Sequence, residues 1–184
     1  MRGAKLSHPS GEFYLTGGRL TAAKNFDLII KSFNKLGLPL KIYGSGPQET
    51  SLKSIAKGNI KFLGGVDDNR MAELYSGAKA FILAQKDEDF GMTAVEAMSF
   101  GTPVIAYKGG GYLESVISGK TGIFFDELNV ESLSKTVKNF NDFTSKMVTD
   151  HRSITAENCI TQAKKFSKER FVSEIKRFVE GKLV

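Results

Sequence analysis

Apolar residues along this chain follow two alternating rhythms: short unbroken runs, and longer stretches in which they recur every three or four positions. The short runs are Phe13 to Thr16, Leu40 to Tyr43, Ile60 to Leu63, Ala80 to Ala84, Val104 to Tyr107 and Gly122 to Phe125, and each has the length and bounding residues of a strand. Between the first two, Phe26, Ile29, Ile30, Phe33 and Leu36 recur at helical spacing, with Gly37 and Pro39 as the stop. Pro47, after Gly44, Ser45 and Gly46, stands where a first helical residue belongs and predicts a second helix there. Asp67 or Asp68 is placed to cap a third helix through Met71, Leu74 and Tyr75, and Asn129 to introduce another over Val130 to Phe140. Thr155 to Lys165 and Ser167 to Val179 read as terminal helices, with Phe166, Phe171, Ile175 and Phe178 as the expected packing stripe.

Strands alternating with helices are the mark of βαβ units, so the expected fold class is α/β: a Rossmann-like parallel sheet with helices on both faces. In such a sheet ligands bind beyond the carboxyl ends of the strands, which gathers the loops at Gly17, Gly44 and Asp87 on one rim. Met1 to Gly11 reads as a linker stub and residues 12–184 as one domain, because 184 residues suffice for a single buried core.

Composition narrows the chemistry only a little. An apolar fraction of 41% with 25% charged residues is that of an ordinary soluble domain, and no apolar run approaches the roughly 18 residues of a membrane span. A cytoplasmic location is the expectation. The lone Cys159 staples nothing, and His8 and His151 lack metal-ligand spacing. A net charge of +6 favours anionic partners; without RNP-like aromatics or zinc-finger spacing, nucleic acid is not expected among them. Peripheral contact with an acidic bilayer fits the charge, although no single amphipathic segment stands out.

The most informative stretch is Glu88 to Gly101, EDFGMTAVEAMSFG. Thr93 to Glu96 matches a capping box, so a helix is expected to begin near Thr93 and to end before Gly101 and Pro103. The amides of Gly91, Met92 and Thr93 would then point out of a positive helix end suited to phosphate. Glu96 is open to two readings, a cap that closes the box or a group that reaches a ligand. Gly17, Gly18 and Arg19 follow the first strand, and Lys24 near the next helix start opposes the macrodipole by about 0.3–1 kcal/mol. Either an anion offsets it or the lysine leans into solvent on its long stem. GSGPQE at Gly44 to Glu49 is not a dinucleotide fingerprint, since Glu49 stands where a third glycine is needed and the motif does not follow the first strand. Asp87, Glu88 and Asp89 form a D-x-D triplet able to hold a divalent ion, or simply a solvated acidic loop.

Taken together, GGRLTAAKN at Gly17 to Asn25, GSGP at Gly44 to Pro47, EDFGMTAVEAMSFGTPVIA at Glu88 to Ala106 and SGKTG at Ser118 to Gly122 resemble the retaining GT-B glycosyltransferases of family 4, and in particular mannosyltransferase-like members. The likeness runs from Phe13 to Phe178. It implies one half of a GT-B fold, the donor-binding domain, with the amino-terminal acceptor domain missing from this chain. It further implies transfer of a sugar, mannose from GDP-mannose or another sugar from a UDP-sugar, with no metal required. By the same resemblance, Gly18, Arg19 and Lys24 hold the donor pyrophosphate and Glu96 the ribose hydroxyls. Phe90, Gly91, Met92 and Thr93 face the sugar and distal phosphate, and Glu88 lies at the anomeric carbon as the catalytic carboxylate. A noncatalytic nucleotide-binding or regulatory module of the same fold is the alternative.

Overall fold

A computed structural model describes residues 11–146 and 154–181. Of the expected stub, Met1 to Ser10 lie outside them, as does His151. All six apolar runs form strands, β1 (Phe13–Gly17), β2 (Leu40–Tyr43), β3 (Ile60–Gly64), β4 (Ala78–Leu83), β5 (Val104–Tyr107) and β6 (Gly122–Phe125). They join in one sheet in the order β3-β2-β1-β4-β5-β6, and every neighbouring pair is parallel. Parallel neighbours need crossovers, supplied by α1 (Phe26–Leu36), α2 (Glu49–Ile55), α3 (Asp68–Ser76), α4 (Met92–Ser99) and the short α5 (Tyr112–Ser115). Three more follow β6: α6 (Val130–Lys146), α7 (Ala156–Lys164) and α8 (Lys168–Glu180).

Successive side chains of a strand point to opposite faces, so the sheet carries two cores. On one face Tyr14, Ile42 and Ile82 meet Ile29, Ile30 and Phe33 of α1 and Leu133 and Val137 of α6. On the other, Leu15, Phe81 and Val104 meet Leu74 of α3, Ala94 and Met98 of α4, and Cys159 and Ala163 of α7. Each large apolar side chain withdrawn from water in this way contributes about 1.5–3 kcal/mol, before the entropy of ordering it is subtracted. The architecture is therefore the expected parallel α/β sheet with helices on both faces.

Helix ends follow local chemistry where a side chain is free to cap. The Asp67 carboxylate accepts the Arg70 amide at 2.8 Å, Asn129 Oδ1 accepts Ser132 N at 2.8 Å, and the Thr155 and Ser167 hydroxyls open α7 and α8 in the same way. Local pattern fails where distant contacts decide. The second helix begins at Glu49, not Pro47, because the Gln48 amide donates to Leu20 O at 3.1 Å and Glu49 N closes a turn on Gly46 O. The fourth begins at Met92, not Thr93, with Gly91 as its N-cap in the left-handed region at φ 80°. Glu96 is thus the fifth helical residue and cannot close a capping box, which requires the third position.

The terminal stripe is also corrected. Phe166 packs on the second core, but Phe171, Ile175 and Phe178 stand 67%, 43% and 62% exposed. With Val172 and Val179 beside them they form an exposed apolar face on α8. Among the described residues no helix is long and apolar enough to cross a membrane.

Candidate functional site

The strand order reverses direction between β1 and β4, and there the loops leaving their carboxyl ends part to leave a crevice. Gly17, Lys24, Gln85 and Tyr112 line it. The loop after β1 is pinned by main-chain bonds to the loop after β2: Gly18 N donates to Tyr43 O at 3.1 Å and Leu20 N to Ser45 O at 2.9 Å. These loops touch so closely that a Cβ at Gly44, where φ is +99°, would fall 1.9 Å from Gly18 O. The GSG run therefore serves close packing of two backbones, as a glycine-rich turn. Lys24 lies on a 3-10 turn, Ala22–Lys24, that Asn25 ties to the end of β4 through Nδ2 to Ala84 O at 2.8 Å. Its Nζ stands over Gly18, 3.2 Å from where a Cβ there would lie. Arg19 sits exposed on the same loop.

Opposite this loop stands the start of α4. Gly91 N, expected to be free, donates to Glu88 Oε1 at 3.2 Å, so the residue before the helix consumes that amide. Among the described residues no acceptor is seen for the amides of Met92 and Thr93, which are the first two of the helix and carry its positive end. Phe90 packs edge-on to Phe166 at 5.3 Å.

Glu88 is clasped rather than free. Besides the Gly91 amide, its carboxylate receives the hydroxyl of the fully buried Tyr112 on Oε2 at 3.3 Å, and its carbonyl receives Gly111 N at 2.7 Å. The glycine run before Tyr112 makes this possible, because a Cβ at Gly111 would meet Phe90 Cα at 2.4 Å. Burial, reinforced by the Glu88 charge, pushes the Tyr112 hydroxyl far above the usual tyrosine range, so it acts as a donor. Asp87 and Asp89 point to solvent, and among the described residues no group of three or more acidic, histidine or cysteine side chains could hold a metal ion.

Glu96 lies one turn into α4, its outer edge exposed and its carboxyl facing Lys24 and Tyr75. Loss of water around the carboxyl raises its pKa, and the neighbouring Tyr75 hydroxyl and the Lys24 charge pull it back. The structure thus gathers Gly18, Lys24, Glu96, Glu88 and the α4 start along one rim, with Arg19 on the adjoining turn. Sequence reasoning missed Tyr112, Tyr43 and Tyr75. Gly109 to Gly111 at the carboxyl end of β5 was a signal for the first; the other two read as core aromatics.

Comparison with known proteins agrees with this fold. The model of the family described as Glycosyl transferases group 1 matches residues 2–166. Mannosylfructose-phosphate synthase of Agrobacterium fabrum is 32% identical over 145 residues, 69% of this chain and 32% of that protein. An uncharacterized glycosyltransferase of Methanocaldococcus jannaschii is 28% identical over 172 residues, 91% of this chain and 48% of that protein. Among solved structures, sucrose-phosphate synthase of Thermosynechococcus elongatus superposes with a TM-score of 0.80 at 22% identity, over 95% of this chain and 46% of that one. The pneumococcal O-GlcNAc transferase in complex with UDP and GlcNAc gives 0.74 at 22% identity, over 97% and 38%. At such identities the structural likeness speaks for the fold. The chain spans between about a third and a half of the length of these relatives.

Proposed function

The chain belongs to the glycosyl transferases group 1 family, and from that membership we propose that it is the part of a sugar transferase that binds a nucleoside-diphosphate sugar. The observation that carries the reading is the meeting, at the β1–β4 switch point, of Lys24 over Gly18 with the Glu96 carboxylate and the two unpartnered amides at the head of α4. A diphosphate lodged there is met by Arg19 and Lys24 on one side and the Met92 and Thr93 amides on the other. Fixed positive groups of this kind stabilise charge as it builds on the departing nucleoside diphosphate, the part a divalent ion plays elsewhere. Glu96 receives the ribose hydroxyls.

Glu88 takes the position beside the transferred sugar, where its fixed negative charge favours the positive character that develops at the anomeric carbon. Its clasp by Tyr112 and Gly91 holds it still for that purpose. Retention of configuration is part of the proposal, without a nucleophile assigned to any residue of this chain. Mannose as the sugar is supported by the resemblance and by the mannosylfructose-phosphate synthase relative, and GDP as the carrier by the resemblance. Calorimetric titration with GDP, UDP, ADP, GDP-mannose and UDP-glucose tests the reading. Saturable binding of a nucleoside diphosphate is expected, strongest with GDP; absence of binding by all five to folded protein overturns it, and preference for UDP-glucose removes the mannose assignment alone.

A further inference from the structure

Asn25, the residue after Lys24, sets aside two local preferences at once. It is the one non-glycine among the described residues with a positive φ, 51°, in the left-handed region where an ordinary side chain is strained. It also stands at the N-cap of α1, where asparagine serves well by accepting an amide of the first turn, yet its side chain makes no such bond. The side-chain amide is directed elsewhere: Nδ2 donates to Ala84 O at 2.8 Å, over the crevice.

The sheet explains what that bond replaces. The pairing of β1 with β4 ends at Leu15 and Phe81, whereas its pairing with β2 continues to Gly17. Past that point two side chains take over, as Thr16 Oγ1 donates to Ile82 O at 2.8 Å and Asn25 Nδ2 to Ala84 O two residues on. From Ala84 the connection runs along the next loop. Gln85 Nε2 donates to Asp87 O at 3.1 Å, and the Glu88 carboxylate holds the amide of Gly91, the N-cap of α4, at 3.2 Å. On the other side, Asn25 N closes the 3-10 turn on Ala22 O at 3.0 Å and Asn25 O accepts Ile29 N at 3.3 Å, which opens α1. The left-handed residue is the elbow between two helical segments. A right-handed one would let the turn run on into the helix and carry Lys24 away from Gly18.

We infer that Asn25 is a positioning residue that sets the gap between Lys24 and the head of α4, and that it thereby makes the site select a nucleoside diphosphate over the corresponding monophosphate. The inference rests on the reading of this rim as a nucleoside-diphosphate site and adds the device that gauges the ligand's length. Two phosphates reach the cation and the helix amides together only when the two sides stand at the right separation. A single phosphate reaches one side and is indifferent to the gap. Satisfying Ala84 O accounts for the hydrogen bond but not for the strained backbone that Asn25 adopts to make it.

The test is calorimetric titration of the tightest binder among GDP, UDP and ADP, and of the matching monophosphate, against the wild-type chain, Asn25→Gly, Lys24→Ala and the double variant. Glycine takes a positive φ without strain, so Asn25→Gly removes the tether and keeps the turn. The wild type is expected to favour the diphosphate about tenfold, the size of one hydrogen bond to a charged group. Asn25→Gly is expected to reduce that ratio to about threefold while monophosphate affinity stays put, and Lys24→Ala to reduce it as far or further. The double variant is expected to match Lys24→Ala, since a tether with no cation to place has no effect left. An unchanged ratio in Asn25→Gly, equal weakening of both ligands, or losses that add in the double variant overturn the positioning role. Should Asn25→Gly not fold, Asn25→Ser, whose hydroxyl stops short of Ala84 O, decides in the same way. Wild-type binding without preference for the diphosphate defeats this inference and leaves the nucleotide site standing, whereas no binding at all defeats both.

Discussion

Glu96 shows at the scale of one residue how surroundings set chemistry. Its pKa is raised chiefly because neighbouring atoms displace water, so it remains protonated to a higher pH than a free glutamate. A protonated carboxyl is the poorer partner for a ribose hydroxyl. The ribonucleotide-to-deoxyribonucleotide affinity ratio is therefore expected to grow as pH rises through that elevated pKa. Titrations in a series of buffers check this, and taking the ratio cancels ionisation of the nucleotide's own phosphates. Cys159 behaves oppositely to a functional thiol. It is buried, with its Sγ near Thr121 O at 3.7 Å, and burial pushes its pKa up from 9.0 to about 12. Because the folded value lies above the unfolded one, the neutral thiol's stabilising effect is fully present below pH 9.0 and is lost as pH climbs through about 12. Native protein should resist labelling by an aromatic disulfide reagent at pH 8, and unfolded protein should react with one equivalent.

Elements are held here as much by close backbone approaches as by propensity. Gly44→Ala places a methyl against Gly18 O at a φ that alanine avoids, so a loss of about 2–4 kcal/mol is expected in urea denaturation. Asp67→Ala, which removes only a cap, should cost about 1 kcal/mol by the same measurement. The same contrast explains what could be read from the chain. All six strands and the helix starts near Asp67, Asn129, Thr155 and Ser167 were legible because they answer to patterns a few residues long. The starts of α2 and α4 were not, because Leu20 O and the Tyr112 ring settle them from 28 and 21 positions away in sequence, counted from Gln48 and Gly91. The candidate site was legible in its charged members, Lys24, Glu88 and Glu96. Its tyrosines were hidden, since Tyr75, four residues after Met71 and next to Leu74, looks like part of a helix's buried face until its hydroxyl is placed.

For the whole molecule, stability is unevenly distributed. Phe33, fully buried in the first core, should cost about 3–5 kcal/mol on replacement by alanine, whereas Phe171→Ser on the exposed face of α8 should shift stability by less than about 0.5 kcal/mol. Thermal melts of the two variants check the contrast. The sheet order has a consequence of its own. Strands β1 to β3 come from residues 13–64 and β4 to β6 from residues 78–125, so the sheet is two sequence-contiguous trios married along a single border. Lys24 belongs to one trio and Glu96 to the other, and a molecule bridging them rivets the border shut. If the polypeptide is severed at Gly77 and its fragments are mixed, the proposed site predicts that a nucleoside diphosphate assists reassembly, which would make the two pieces a split sensor for that ligand.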